Sequence, residues 1–246
     1  MFRYQLLIEY LGTNYKGWQI QKKNKTIQGI LQDKIRKLLK ENITIVGSGR
    51  TDAGVHAIEQ SAHFDLKNKL SNLDKFINSI NHFLKNENIT ILKIRKRTNN
   101  FHSRFSAKKR VYKYFILNRT SSPVIEKNQV WHVRKKLDLD LMKLGAKKLV
   151  GTKDFSTFRA SSCNAKSPIR TMDFVKLKSL NDKIEIHFKS QSFLQQQVRS
   201  MVGCLKYLGE KKWDLKKFDK ALKSKKRSLC APPAPPTGLF LSRVFY

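Results

Sequence analysis

Acidic side chains are scarce in this 246-residue chain: 18 Asp and Glu stand against 51 Lys and Arg, a formal net charge of +33. Such an imbalance makes a polyanion the expected partner, nucleic acid ahead of an acidic membrane surface, although a composition rich in Lys, Asn, Ile and Phe contributes to the excess. Binding of that kind weakens with salt, because each phosphate neutralised releases counterions. Cysteine is scarcer still. Cys163, Cys204 and Cys230 are too few and too scattered for a disulfide framework or a C-x-x-C zinc pattern, so a reduced, cytoplasmic protein without metal is expected. No apolar run approaches a membrane span, and Met1-Phe2-Arg3-Tyr4 enters directly into alternation without an apolar h-region, so neither an insertion nor an export signal is expected. The length allows one large domain or two smaller ones, each with a sizeable core.

What the chain does contain is periodic. Phe2, Tyr4, Leu6, Ile8 and Tyr10 alternate with Arg3, Gln5, Leu7 and Glu9, which predicts a half-buried strand. Thr26 is placed to cap a helix carrying Ile27, Ile30, Leu31, Ile35, Leu38 and Leu39 at helical spacing. Strands follow over Ile43–Val46 and Ala57–Phe64, then a helix marked by Leu73, Phe76, Ile77, Ile80, Phe83 and Leu84, and a strand from Ile89 to Ile94. This order, strand, helix, strand, strand, helix, strand, predicts an α+β layer of antiparallel sheet with helices on one face. It runs out near Asn99, giving expected domains of 1–104 and 105–246. In the second, a strand is expected over Val111–Leu117, a helix over Asp138–Val150, and a hairpin of Met172–Leu180 and Lys183–Ser190 turning at Asn181-Asp182. A last helix runs from Trp213 to Lys225, and Ala231-Pro232-Pro233-Ala234-Pro235-Pro236 reads as a stiff extended link.

Two segments carry chemistry. Gly47-Ser48-Gly49-Arg50-Thr51-Asp52-Ala53-Gly54-Val55-His56-Ala57 puts one carboxylate among three glycines between two strands, where the backbone can take positive φ or approach a neighbour closely. Asp52 either presents its carboxylate to a ligand or satisfies backbone N–H groups of a turn. In Ser192–Leu208, the residues Leu194, Val198, Met201, Val202, Leu205 and Leu208 share one helical arc; Arg199 falls at its margin with Gly203 one turn on. That guanidinium is either part-buried beside the glycine or snorkels to water. Tyr15 and Trp18 admit two readings, a stacking platform for bases or packing over the domain edge. Asp154 reads as a turn cap or the partner of a neighbouring base. Asn164–Arg170 reads as a basic loop facing RNA, and the cluster Lys108-Lys109-Arg110 beside Tyr112 and Tyr114 sets cations against aromatics, as an RNA surface requires.

The loop around Asp52 resembles the G-R-T-D-x-G-V-H-A segment of the tRNA pseudouridine synthase A family. Five further segments are similar to that family: Tyr15–Gln21 with Thr26-Ile27-Gln28, Phe101–Tyr114, Gly151–Arg159, Phe193–Gly203, and Ala231–Tyr246. The resemblance implies two pseudo-duplicated ferredoxin-like or RRM-like halves sharing a long central antiparallel sheet, with an active-site cleft between them. It implies uridine-to-pseudouridine isomerisation at positions 38, 39 and 40 of the tRNA anticodon arm, without a cofactor, by a homodimer, with no DNA or membrane partner. Carried over residue by residue, it makes Asp52 the nucleophile and Arg199 its ion partner. Tyr112 becomes the residue lying against the target base and a candidate proton acceptor, with Tyr114 left to the core. Arg50 would hold the flipped nucleotide's phosphate and Leu239 would line the uracil pocket. Gln195 and Gln196 depart from the pattern, since many members have histidines there. A non-catalytic RNA-binding or chaperone protein would share the charge and the aromatics, but it would not need Asp52 and Arg199 together. Glycosidases usually use a carboxylate pair, and divalent-metal nucleases cluster acids, which this chain does not do.

Overall fold

The computed structural model describes residues 1–246 as an α+β protein of ten strands and five α-helices. In chain order these are β1 (Phe2–Tyr10), α1 (Ile27–Leu39), β2 (Val46–Gly47), β3 (His56–Leu66), α2 (Leu73–Leu84), β4 (Ile89–Arg97), β5 (Lys109–Leu117), β6 (Trp131–His132) and α3 (Leu139–Leu149). There follow β7 (Gly151–Asp154), β8 (Ile169–Leu180), β9 (Lys183–Ser190), α4 (Gln197–Gly209), α5 (Leu215–Ser224) and β10 (Leu239–Phe245). Two compact units divide the chain: Met1–Lys108 together with Phe240–Tyr246, and Lys109–Leu239. No helix is long and apolar enough to cross a membrane.

In the first unit the strands run in the order β4-β1-β3-β10, with β2 on β3. β1 is antiparallel to both β3 and β4, and it is buried on both faces rather than half-buried: Tyr4, Leu6, Ile8 and Tyr10 are in the core on one, and Gln5 and Leu7 are buried on the other. β10 departs from the expected antiparallel pattern by pairing in parallel with the start of β3, Phe240 opposite His56 and Leu241 opposite Ala57. α1 begins where Thr26 accepts the Gly29 N–H, and α2 where Asn72 accepts the Lys75 N–H. The stripe of α1 buries Ile27, Leu31 and Ile35; that of α2 buries Phe76, Ile80 and Leu84.

The second unit orders its strands β5-β9-β8-β7, antiparallel throughout, with β6 added in parallel to β5. β8 and β9 form the expected hairpin, turned by Asn181 in the left-handed region at φ 54°. Asp138 and Asp214 cap α3 and α5 by accepting the N–H groups of Leu141 and Lys217. α4 has no such cap: Gln196 precedes it with φ 60°, so the helix starts at Gln197, later than its apolar arc suggests. Leu194, Val198, Met201, Val202, Leu205 and Leu208 are nonetheless all buried.

One polar cluster inside the first unit titrates. His63 is buried on β3, its Nδ1 accepting the Ser103 N–H at 3.2 Å and lying 2.8 Å from the Ser103 hydroxyl. Burial, reinforced by the nearby Arg3 guanidinium, lowers its pKa from 6.5 to about 4. The fold thus requires neutral imidazole while the unfolded chain takes up a proton below pH 6.5. This contribution to stability is complete above pH 6.5 and is lost as pH falls towards 4. Thermal midpoints measured from pH 7.5 to 4 are expected to fall more steeply for the native protein than for His63→Gln. Parallel slopes would show that His63 is not the titrating group.

Candidate active site

The Asp52 loop is built by its neighbours rather than by its own sequence. α1 turns two buried glutamines inward: Gln28 donates to the Ile45 carbonyl at 2.7 Å and accepts the Ile20 N–H, while Gln32 accepts the Ile45 N–H at 3.1 Å. These bonds hold the segment that leads into β2. Beyond it, the Ser48 N–H donates to the Ser61 carbonyl at 2.7 Å, Ser48 Oγ to Gln60 Oε1 at 2.7 Å, and Gln60 Nε2 to the Gly49 carbonyl at 3.1 Å. The turn itself is closed by the Val55 N–H reaching the Asp52 carbonyl at 3.1 Å.

A second segment, residues 10–18, clamps the same loop from outside. The Tyr10 hydroxyl lies 2.8 Å from Thr51 Oγ1, the Trp18 N–H donates to the Thr51 carbonyl, the Gly54 N–H donates to the Tyr15 carbonyl, and the Gly12 N–H donates to His56 Nδ1 at 2.9 Å. Glycine is required on the clamp as much as on the loop. A Cβ on Gly12 would stand 2.0 Å from the Val55 carbonyl oxygen, and one on Gly17, whose φ is +92°, 2.6 Å from that of Thr51. Within the loop only Gly54 takes positive φ; Gly47 is needed because the Trp18 indole lies against it, 2.6 Å from where a Cβ would be. Tyr15 and Trp18 are 3 % and 2 % exposed, which decides for packing over stacking. The Tyr15 hydroxyl donates to the Glu87 backbone carbonyl, and burial beside the Glu87 carboxylate pushes the phenol above its ordinary range. With Thr51 and Val55 buried, Asp52 is left half-buried at the turn. Arg50 is exposed, its Nε 3.3 Å from Gln19 Oε1.

In the second unit Arg199 sits in the first turn of α4, half-buried. Its Nε donates to the Ala234 carbonyl at 2.7 Å, and the Ala234 N–H returns a bond to the Arg199 carbonyl at 2.9 Å. Gly203 makes this possible in a way the spacing does not reveal. The room beside it is filled by the Pro232 backbone, whose carbonyl oxygen lies 2.1 Å from where a Cβ would stand. The proline-rich stretch is therefore no mere link: Ala231 and Ala234 are buried, and the Pro235 carbonyl accepts the Tyr114 hydroxyl at 2.8 Å. Burial raises the Tyr114 phenol pKa well above its usual range, the Arg199 charge opposing in part. Tyr112, two residues earlier on β5, is only half-buried and meets Phe193 edge-on with centroids 5.0 Å apart. Leu239 is buried at the start of β10.

Asp154 behaves as a turn acid: its carboxylate accepts the Ser156 N–H at 2.8 Å and lies 3.6 Å from Lys225 Nζ. With Asp219 and four lysines, Lys148, Lys153, Lys223 and Lys225, it lines a cavity of about 520 Å³ that includes none of the residues above. Gln28, Gln32 and Gln60 are the positioning residues that periodicity misses, since a polar side chain on a helix or strand reads as solvated until its partner is known.

The chain as a whole is similar to known proteins. A family model described as tRNA pseudouridine synthase matches residues 6–106 and again 146–246, one match in each half of the chain. A tRNA pseudouridine synthase A of Pelagibacter ubique (strain HTCC1062) is 67 % identical over 246 residues, covering all of both chains. Proteins of the same description from Parvibaculum lavamentivorans and Caulobacter sp. (strain K31) are 42 % and 40 % identical, covering all of this chain and 100 % and 98 % of theirs.

Proposed function

Because the chain belongs to the tRNA pseudouridine synthase family, we propose that it isomerises uridine to pseudouridine in tRNA, at positions 38, 39 and 40 of the anticodon arm. The observation that carries the chemistry is the Asp52 turn, fixed from both sides through its backbone while the carboxylate stays half-buried.

In this reading the target nucleotide is flipped out of its stack, at a cost of a few kcal/mol, and received against the half-exposed Tyr112 ring. Asp52 is the nucleophile, adding either to the base or at C1′. The N1–C1′ bond breaks, the uracil turns, and C5 joins C1′. The proton lost from C5, with Tyr112 as its acceptor, balances the one gained at N1. Nothing is oxidised or reduced, so no cofactor is called for. Arg199, aimed through its Nε by the Ala234 carbonyl, is the ion partner of the nucleophile. Arg50 holds the flipped nucleotide's phosphate and Leu239 lines the uracil pocket. The nucleophile belongs to the half comprising 1–104, the guanidinium and the RNA-binding surface to 105–246. A homodimer acting in the cytoplasm, one tRNA touching both subunits, completes the proposal, and the +33 charge supports a polyanionic substrate.

The test is to incubate the protein with an unmodified tRNA transcript and map pseudouridine. Product is expected at whichever of the three positions carries uridine, disappearing site by site when that uridine is replaced by cytidine. Product elsewhere would overturn the site assignment, and no product would overturn the activity.

A further inference from the structure

The turn between β4 and β5 is unusual in what it holds and how firmly. Phe105 is 76 % exposed, among the most exposed large apolar side chains of the protein, yet it stands on a stretch of backbone with little freedom. The Ser106 N–H donates to the His102 carbonyl at 2.9 Å, the His102 N–H to Ser106 Oγ at 2.9 Å, and the N–H groups of Arg104 and Phe105 to His102 Nδ1 at 3.1 and 3.2 Å. Burial, with Arg3 and Arg104 nearby, lowers the His102 pKa, so this nitrogen remains an acceptor at neutral pH. Ser103 then fastens the turn to the sheet. Its hydroxyl donates to the Val46 carbonyl at 2.6 Å, its N–H to His63, and its carbonyl accepts the Tyr246 hydroxyl at 2.8 Å. Val46 lies on β2, the strand that delivers the Asp52 loop. The platform and the loop thus share one rigid support.

Exposing a phenylalanine costs apolar burial, and a hydrophobic side chain with no role beyond folding would not need so many bonds to hold it outward. The Phe105 ring lies over the His102 imidazole, centroids 4.3 Å apart and 31° from parallel, and the Arg104 guanidinium sits 5.6 Å from the Phe105 centroid. A π-face displayed beside a cation suits a nucleobase and its phosphate, since every base can stack on an aromatic ring while the cation takes the backbone charge. We propose that Phe105, braced by His102 and flanked by Arg104, is a stacking platform for an unpaired base of the substrate RNA other than the one that reacts. This rests on the RNA substrate proposed above and adds a second point of grip on it, fixed relative to Asp52. Phe105 is a binding residue here, not a catalytic one.

A base stacked on one ring loses a single contact when the ring is removed, so Phe105→Ala is expected to raise KM for tRNA on the order of ten-fold with kcat little changed, and Phe105→Trp to restore it. The Trp variant also reports directly: its fluorescence should be quenched by tRNA and by a single-stranded anticodon-loop oligonucleotide, but not by a fully paired duplex of the same sequence. That titration needs no turnover, so it separates a failure of this site from a failure of the proposed reaction. Unchanged KM in Phe105→Ala, or fluorescence indifferent to RNA, would overturn the proposal. So would a change in oligomeric state on Phe105→Ala with RNA affinity intact, which would assign the ring to a protein interface.

Discussion

Replacing Asp52 with asparagine is expected to abolish pseudouridine formation while leaving the fold and RNA binding in place. The amide is nearly the same size but carries no negative charge with which to attack a carbon centre. Removing a nucleophile from a working site costs several powers of ten, so a fall of at least about 10⁴-fold in kcat is anticipated. The loop gives no reason for collapse. Its fixed points are Thr51, held by Tyr10 and Trp18, and Gly54, held by Tyr15, together with the Ser48–Gln60 bond. The thermal midpoint should therefore move by no more than about 2 °C, and Kd for tRNA by less than about three-fold. Residual turnover within ten-fold of the native rate would remove Asp52 from the chemistry. An unfolded variant would instead show that the carboxylate holds the turn together.

The second large effect lies in the other unit and on a residue with no chemistry of its own. Gly203→Ala places a methyl group 2.1 Å from the Pro232 carbonyl oxygen, a backbone atom that cannot swing aside as a side-chain tip can. Either α4 or the proline-rich stretch must shift by about an ångström. Overpacking of this kind typically costs about 1–3 kcal/mol, a fall in thermal midpoint of roughly 3–10 °C for a chain of this size. The functional loss should be larger than the structural one. The same stretch supplies the carbonyls that take Arg199 Nε and the Tyr114 hydroxyl, so displacing it re-aims the guanidinium. A misplacement of about 1 Å at a reacting group is worth on the order of 10²-fold in rate. Assayed below its lowered midpoint, the variant should bind tRNA but turn over about a hundred-fold more slowly. A variant with native rate and midpoint would mean that the Pro232 backbone yields freely and does not orient Arg199.

Those two predictions also mark where sequence stops being sufficient. The elements are readable because each carries a periodic apolar face, even where, as in β1, the other face is buried too. Alternation over Phe2–Tyr10 and the helical stripe of Ile27, Leu31 and Ile35 each predict the face that the core receives. The Asp52 loop is readable because glycines around a lone acid are uncommon. What periodicity does not carry is the identity of a neighbour distant in the chain. Gln28, Gln32 and Gln60 look solvated, but they are buried and bonded to the backbone around the loop. Gly203 looks like space for an arginine, but the space belongs to Pro232. Ala231–Pro236 has the composition of a spacer because its work is done by carbonyl groups, which every residue has. Phe83, counted with the α2 stripe, is 41 % exposed, while Phe76, Ile80 and Leu84 take the buried face.

The parallel strand β10 carries a further implication, for the time order of synthesis. Phe240 and Leu241 pair with His56 and Ala57 immediately after the Asp52 loop, the Phe240 ring lies 4.6 Å from the His56 imidazole, and the Tyr246 hydroxyl reaches back to Ser61 and Ser103. A ribosome that has made the first two hundred residues has released every group of the loop and its clamp, yet the sheet beside them still lacks its final ribbon. The nascent polypeptide thus holds the Asp52 loop in an unfinished cradle until the strand over Leu239–Phe245 has left the ribosome and paired.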